Sequence, residues 1–305
     1  MLSGASGMLG TALRQALAER GNTIVQLVRR NPRSGGELGW DPSARKPVAD
    51  SRPLEGIAAA IHLSGASIAG HRWTDAYKRE MVASRVESTQ TLASVLSSLR
   101  QPPVVFVTAS AAGFYGDRGN ELLDEGSSPG SGFLADLCRD WEAASQPAIV
   151  AGIRVVHPRF GVVLGAKAGA LARMLPLFRL GLGGPLGSGR QWMSWISMPD
   201  AVAALLFLVD TPALRGPVNL TAPEPVTNSE FTRALSRAVH RPAVLPAPAF
   251  ALRLAFGQMA DEALLASARV YPARLLSAGF RFALPTIAEA LSASVGSADE
   301  HLMQR

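Results

Sequence analysis

The sequence has one cysteine, Cys138, among 305 residues, and this near absence excludes two common structural devices. An intrachain disulfide needs two cysteines, and a zinc site made of several thiolates also needs more than one. No cluster of His, Cys and Asp has metal-ligand spacing, so we predict no metal site. A single cysteine fits a reducing compartment, and we predict a cytoplasmic location.

Long apolar runs and long basic runs are also missing. The longest purely apolar run, residues 201–209, is far shorter than the ~20 residues of a membrane-spanning helix. No signal peptide precedes the first glycines, so we predict no membrane partner. The net charge is +6 and the pI is near 10.2. The basic residues are dispersed, which favours anionic small molecules over nucleic acid as partners.

Glycine, by contrast, is closely spaced at the start of the chain. Gly4, Gly7 and Gly10 follow a very short apolar segment and precede an amphipathic helical pattern. Because glycine has no Cβ, such a loop permits a tight strand-to-helix turn and lets a pyrophosphate approach the backbone. The spacing is GxxGxxG and not the more common GxGxxG, and an ordinary glycine turn is the alternative.

The predicted second strand, residues 23–28, ends without an acidic residue. An Asp or Glu at that position would accept hydrogen bonds from the ribose 2′-OH of NAD. Arg29 and Arg30 stand there instead, and guanidinium groups suit a 2′-phosphate. The pair predicts NADP(H) as cofactor; the alternative is a solvated strand end.

Strand-like runs alternate with helical patterns through the first half of the chain, which is typical of a parallel α/β sheet. We predict strands at residues 58–63, 104–108 and 152–156, and helices at 74–99 and 132–144. The fold class is α/β, a Rossmann-like doubly wound parallel sheet with a smaller, mainly helical C-terminal substrate-side domain. We assign residues 1–164 to an NADP-binding domain, with 190–222 returning to it. Residues 165–189 and 223–294 form the substrate-side domain, and 295–305 a tail.

Several motifs together resemble a known family. They are the glycine loop, His62–Gly65, Ser110–Gly116, Arg72–Thr74, Glu80–Arg85, Pro158–Arg159, Gly161–Gly165, Phe178–Gly189 and Trp195–Asp200. The chain resembles extended short-chain dehydrogenase/reductases, and within them the atypical NAD-dependent epimerase/dehydratase branch called epimerase family proteins. The resemblance extends to about residue 294 and implies NADP binding, with Glu80 and Arg85 as contacts; a solvated helix face is the alternative for these two.

The glycine loop, the strand ends and the resemblance together predict the cofactor site. Its residues are Gly4, Ser6, Gly7, Met8, Leu9, Gly10, Arg29, Arg30, Leu63, Ser64, Gly65, Glu80, Arg85, Thr108, Arg159 and Val162. The resemblance also implies that Arg190 and Gln191 contact the anionic half of a substrate such as a nucleotide-sugar, a turn-stabilising role being the alternative.

The chain departs from the wider superfamily in its catalytic residues. Members use a Tyr with a Lys four positions later, because the cation favours the phenolate. The corresponding segment, residues 132–142, contains neither. Tyr115 is the best remaining proton donor, with Ser110 as its neighbour; packing under the cofactor is the alternative role.

Two functions follow from this departure. One is an NADP(H)-dependent oxidoreductase or epimerase acting on a small polar substrate, with anionic compounds among the candidates. The other is a non-catalytic NADP(H)-binding sensor or scaffold, which the missing Tyr/Lys pair favours. The substrate and the oligomeric state are left open by the sequence.

Overall fold

The computed structural model describes residues 1–303, and those residues form two compact units. The first unit comprises residues 1–110, 137–158 and 205–218. The second comprises residues 111–136, 159–204 and the chain from residue 219 onward. This division differs from the predicted domains. Of the residues assigned to the cofactor domain from the sequence, 111–136, 159–164, 190–204 and 219–222 fall in the second unit.

The regular elements alternate along the first half of the chain. The strands are β1 Leu2–Ser3, β2 Gln26–Val28, β3 Glu37–Gly39, β4 Ala59–His62, β5 Val105–Thr108, β6 Ser110–Ala111, β7 Leu122–Leu123, β8 Arg154–Phe160, β9 Val162–Leu164, β10 Trp192–Met193, β11 Trp195–Ser197, β12 Gly216–Leu220, β13 Val226–Thr227 and β14 Arg269–Val270. The α-helices are α1 Met8–Glu19, α2 Asp75–Val82, α3 Ser88–Ser97, α4 Phe133–Ala143, α5 Gln146–Val150, α6 Gly169–Arg179, α7 Met198–Asp210, α8 Asn228–Ala238, α9 Ala249–Phe256, α10 Ala273–Ser277 and α11 Ile287–Met303. Short 3-10 helices span Arg52–Leu54 and Ala112–Tyr115, and π-helical turns span Ala83–Glu87 and Ala260–Leu264.

The first unit is built on a parallel sheet with the strand order β12-β8-β5-β4-β1-β2-β3. The order of the strands reverses between β1 and β4, and in doubly wound sheets ligands bind at the carboxyl ends beside such a reversal. Although β1 has two residues, it pairs in parallel with both β2 and β4. The Rossmann-like prediction is confirmed.

Apolar side chains from one face of this sheet pack with α3 in a core of the first unit. Phe106 on β5 and Leu92 and Leu96 on α3 are fully buried in it. The predicted helix at 74–99 is present as α2, a π-helical turn and α3 in direct succession. It begins as predicted at Thr74, whose hydroxyl accepts a hydrogen bond from the backbone N–H of Tyr77.

The second unit has its own core and three short two-stranded sheets, β9 with β11, β10 with β13 and β7 with β14. Apolar side chains of α6, α8 and α11 pack around Trp195, which is fully buried. Helix α8 begins with a reciprocal capping box, in which Thr227 and Glu230 each accept from the other's backbone N–H. The second unit thus combines helices with short strands around a core of its own.

Two predictions of the elements differ from the structure. Strand β3 was not predicted, since its three residues follow a loop rich in glycine and proline. The predicted tail, residues 295–305, is helical as far as Met303 as part of α11; residues 304 and 305 lie outside the described residues. In the described part of the chain, no helix combines the length and the apolar character needed to cross a bilayer.

Candidate functional site

The first unit carries a cleft where β1, β2 and β4 end, and we call it the first-unit cleft. It has a volume of about 620 Å³. Its lining residues are Gly4, Ala5, Ser6, Gly7, Thr11, Arg14, Gln26, Leu27, Val28, Arg29, Arg30, Glu37, Trp40, Leu63, Ser64 and Gly65. Eight of the predicted cofactor residues are therefore together in one cavity at the reversal of strand order.

Two glycines of the loop are required by the backbone around them. Gly4 has φ +73°, and a Cβ there would lie 2.7 Å from the carbonyl carbon of Leu63. A Cβ on Gly10 would lie 2.1 Å from the carbonyl oxygen of Gly4. The loop can therefore turn tightly from β1 into α1 only with glycine at these positions.

The start of α1 leaves room for an anion. Its N-cap is Gly7, which has no side chain to bond the N–H groups of the first turn. Helix N-termini combine free N–H donors with a positive dipole end, and this suits a pyrophosphate. Met8, Leu9 and Gly10 form that first turn without lining the cleft.

Of the two adjacent arginines, Arg30 is bonded to a carboxylate and Arg29 is not. Arg30 makes two hydrogen bonds to the carboxylate of Glu37 on β3, at 2.8 and 2.5 Å. This pairing, together with the N–H of Arg33, lowers the pKa of Glu37 to about 2. Arg29 is exposed and has no hydrogen-bond acceptor within residues 1–296, whose side chains the structure describes. Arg29 and Arg30, which the sequence offered as a pair, therefore differ in their surroundings.

Sequence reasoning missed a third cation in the same cleft, Arg14 on α1. It too lacks a hydrogen-bond acceptor within residues 1–296. Helical spacing could have predicted that Arg14 lies near the cofactor, because Gly7, Thr11 and Arg14 fall on one face of α1. Glu37 was missed because β3 was missed. The cleft thus combines three guanidinium groups with one carboxylate.

Arg85, in the π-helical turn, is buried beside the end of β4. Its guanidinium donates to the carbonyl of Ala66 at 2.7 Å and stacks over the ring of Trp141 at 5.2 Å. A Cβ on Gly65 would lie 3.2 Å from the guanidinium carbon. Burial lowers the pKa of Arg85. Arg85 therefore packs against the Gly65 segment, which lines the cleft, without lining the cleft itself.

Two other predicted cofactor contacts of the first unit do not line the cleft. Glu80 is exposed on α2 among residues of its own helix, so the solvated helix face describes its position. Thr108 is fully buried at the end of β5, with its hydroxyl 3.4 Å from that of Thr89. Neither of these side chains reaches the first-unit cleft.

Tyr115 and Ser110, the predicted catalytic pair, fall in different units and are both buried. The Tyr115 hydroxyl donates to Asn219 at 2.7 Å and accepts from Arg159 at 3.0 Å. Tyr115 is 0% exposed, and burial raises its pKa. Ser110 is 2% exposed and donates to Glu142 at 2.7 Å. In both residues the hydroxyl proton is held by a protein acceptor, so packing describes them better than proton donation to a ligand.

The remaining predicted residues lie in the second unit. Arg159 stacks on the ring of Phe114 at 3.5 Å and is 3% exposed. Gln191 is buried, and its amide donates to the carbonyls of Leu186 and Leu264. The turn-stabilising alternative therefore describes Gln191, while Arg190 is exposed.

Val162 lines a second cavity, which lies within the second unit and which we call the apolar pocket. Its volume is about 290 Å³. Its walls are side chains of α6 and β10 together with segments near residues 112–116, 160–164 and 262–268. Among the described residues, no group of three or more His, Cys, Asp or Glu is placed to hold a metal in either unit.

The fold and the first-unit cleft define a dinucleotide-binding protein of the Rossmann-like class. The model of the NAD dependent epimerase/dehydratase family matches residues 1–220, and a domain of unknown function (DUF1731) matches residues 247–294. The chain belongs to the NAD dependent epimerase/dehydratase family and is an NAD(P)-binding protein of it.

Relatives match over almost the whole chain. An epimerase family protein of Mycobacterium bovis is 47% identical over 290 residues, 95% of each chain. Epimerase family protein SDR39U1 of Homo sapiens is 35% identical and covers 95% of this chain and 97% of its own.

Two solved structures extend the similarity to three dimensions. A crystal structure of human SDR39U1 with NADPH has a TM-score of 0.87 at 33% identity, covering 96% of this chain and 98% of that one. A nucleoside-diphosphate sugar epimerase from Corynebacterium glutamicum has a TM-score of 0.79 at 34% identity, covering 99% of this chain and 59% of that one.

Proposed function

We propose that this protein is an NADP(H)-dependent oxidoreductase or epimerase that acts on a small molecule with a carbonyl or carbinol group. The observation that carries the proposal is the first-unit cleft, where a glycine loop, an uncapped helix start and three arginines meet. Three guanidinium groups against one carboxylate favour a ligand with an additional phosphate over NAD. The human relative whose structure contains NADPH supports the same choice.

Each part of the cleft has a distinct task in this proposal. The glycine loop and the first turn of α1 hold the pyrophosphate through backbone N–H groups. Arg29 and Arg14 hold the 2′-phosphate, and Arg30 is oriented by Glu37. When bound, NADPH supplies a hydride to a carbonyl carbon while the carbonyl oxygen takes a proton from solvent or an acidic group, leaving an alcohol and NADP⁺.

The proposed reaction requires a proton transfer, for which the usual acid/base residues are missing. The segment that would carry the Tyr/Lys pair has neither residue. A positioned acid or base contributes about 10²–10⁴-fold in rate, so we expect slow turnover unless the substrate supplies its own acidic group.

One observation favours a second function, a non-catalytic NADP(H) sensor or scaffold. Both candidate proton donors are buried, and each already donates to a protein acceptor, Tyr115 to Asn219 and Ser110 to Glu142. A protein that binds the reduced cofactor without transferring hydride needs no exposed acid. The two functions share the cleft and differ only in turnover.

Loss of nicotinamide absorbance separates the two. The purified protein with NADPH is assayed against ketones, aldehydes and nucleotide-sugars, and NADPH affinity is measured on the same sample by calorimetry. Substrate-dependent oxidation that Arg29→Ala weakens through a higher KM for NADPH supports the enzyme. Tight NADPH binding with neither NADPH oxidation nor an epimerised product from any compound supports the sensor. Weak binding of both NADPH and NADH contradicts both functions.

A further inference from the structure

The walls of the apolar pocket are built almost entirely from hydrocarbon and aromatic side chains. Phe160, Met174, Trp192 and Met193 are among its lining residues, with alanines and glycines between them. Its volume of about 290 Å³ is at the lower end of the range for ligand pockets, roughly 300–1,000 Å³. The pocket therefore suits a small, compact molecule.

Two polar side chains of the wall, Ser194 and Asn228, are already hydrogen-bonded to the surrounding protein. Ser194 donates to the carbonyl of Ala268 at 2.7 Å and accepts from Val270 N at 2.8 Å. The carbonyl oxygen of the Asn228 amide accepts from Leu186 N at 2.7 Å. These hydrogen bonds hold the pocket's shape, so a ligand meets mainly apolar surface.

The one charged residue in the wall is acidic. Glu262 accepts from Leu134 N at 2.8 Å and from the Gln258 amide at 2.6 Å. No Lys, Arg or His stands among the lining residues that the structure describes. The guanidinium of Arg269 stacks on the ring of Trp192 at 4.4 Å but is not among the lining residues. An anion placed here would lose its hydration without gaining a cation in the wall, and it would face a carboxyl group.

This composition contrasts with that of the first-unit cleft, where guanidinium groups line the cavity. A diphosphate needs such cationic hydrogen-bond donors, and the lining residues of the apolar pocket include no basic side chain. Arg190, which the sequence suggested for the anionic half of a substrate, is not among the pocket's lining residues. The chemistry of the wall thus argues against a nucleotide-sugar.

We infer that the apolar pocket is the substrate site and that it takes a small, uncharged, largely apolar carbonyl compound or its alcohol. Only the statement that the ligand is a substrate rests on the proposed function. The pocket's preference for uncharged ligands rests on its walls alone. Each oxygen of Glu262 accepts one hydrogen bond from the protein and has a further lone pair, which suits a hydroxyl on such a ligand, while the negative charge opposes a phosphate.

Binding is tested on the full chain with 2-acetylnaphthalene and acetophenone as apolar probes and UDP-glucose as the anionic comparator. Calorimetry gives the Kd, and quenching of tryptophan fluorescence reports occupancy next to Trp192. We expect both ketones to bind the pocket at least about tenfold more tightly than UDP-glucose, because a charged diphosphate there loses its hydration without gaining a matching partner.

Substitutions locate the site. Ala170→Phe fills the pocket from the exposed first turn of α6, and Ala266→Phe fills it from a separate segment. Each should weaken ketone binding at least about tenfold. The matched control is Leu177→Phe, an exposed position of the same helix that does not line the pocket, and it should leave the Kd unchanged.

The outcomes distinguish the pocket from the proposed function. Ketone binding that the two filling variants abolish and the control retains supports the inference, even if NADPH is never oxidised and the enzyme proposal fails. UDP-glucose binding that is as tight as that of the ketones and that the filling variants weaken, or ketone binding insensitive to both filling variants, overturns it. So does the absence of ketone binding, even if NADPH is oxidised by a nucleotide-sugar.

Discussion

The unequal setting of the two adjacent arginines makes a quantitative prediction about cofactor choice. Arg30 is held by Glu37 through two hydrogen bonds, whereas Arg29 has no acceptor within residues 1–296. Part of the charge of Arg30 is therefore neutralised before any ligand arrives. Arg29→Ala should weaken NADPH binding more than Arg30→Ala does.

The size of the effect follows from the contact that is lost. A charge-assisted hydrogen bond to a phosphate contributes about 1.5–3 kcal/mol, which corresponds to about 10- to 150-fold in Kd. NADH lacks the 2′-phosphate, so its Kd should change by less than about threefold in Arg29→Ala. The ratio of the two affinities is therefore the informative quantity.

Calorimetric titration of NADPH and NADH into each variant measures that ratio. Arg33→Ala is the matched control, since it removes one nearby positive charge but does not line the cleft. Equal losses for NADPH and NADH in Arg29→Ala would refute the assignment to the 2′-phosphate. A larger loss in Arg30→Ala would refute the argument from Glu37.

Three further predictions concern the first unit. Gly10→Ala should abolish cofactor binding and lower the Tm, because its Cβ would overlap a backbone oxygen at 2.1 Å, whereas Gly35→Ala, with no atom within 4 Å, should do neither. Burial lowers the pKa of His62 to about 4, so stability should be full above pH 6.5 and fall as the pH drops towards 4, by about 1.4 kcal/mol per unit of pKa difference. Urea unfolding across that pH range should show the fall in stability in the wild type and not in His62→Asn. If His62→Asn loses as much stability as the wild type over that range, the role of His62 is contradicted. The Arg154 guanidinium donates to four carbonyls at the end of α7 and beyond, so Arg154→Met should cost about 1.5–3 kcal/mol of unfolding free energy, against less than about 1 kcal/mol for Arg20→Ala in an exposed ion pair.

Local sequence patterns predicted the elements of the first unit well. Glycine spacing, apolar runs of strand length and the helical pattern that begins at residue 74 each depend on backbone geometry within a few residues, so they can be recognised without the fold. The same patterns indicated the end of β4 and the end of β2 as ligand-facing. They did not reveal β3, whose three residues pair with β2 through long-range register.

The sequence by itself determined that this chain builds a dinucleotide cleft and that cations line it. Only the tertiary structure decided how those cations are used, because the register of β2 and β3 pairs Gln26 with Glu37 and a carboxylate there reaches Arg30. Tertiary contacts likewise bury Tyr115 against Asn219, more than a hundred positions away along the chain. The apolar pocket is assembled from segments between residues 112 and 268. Such cavities are set by packing across distant segments, and no local pattern encodes them.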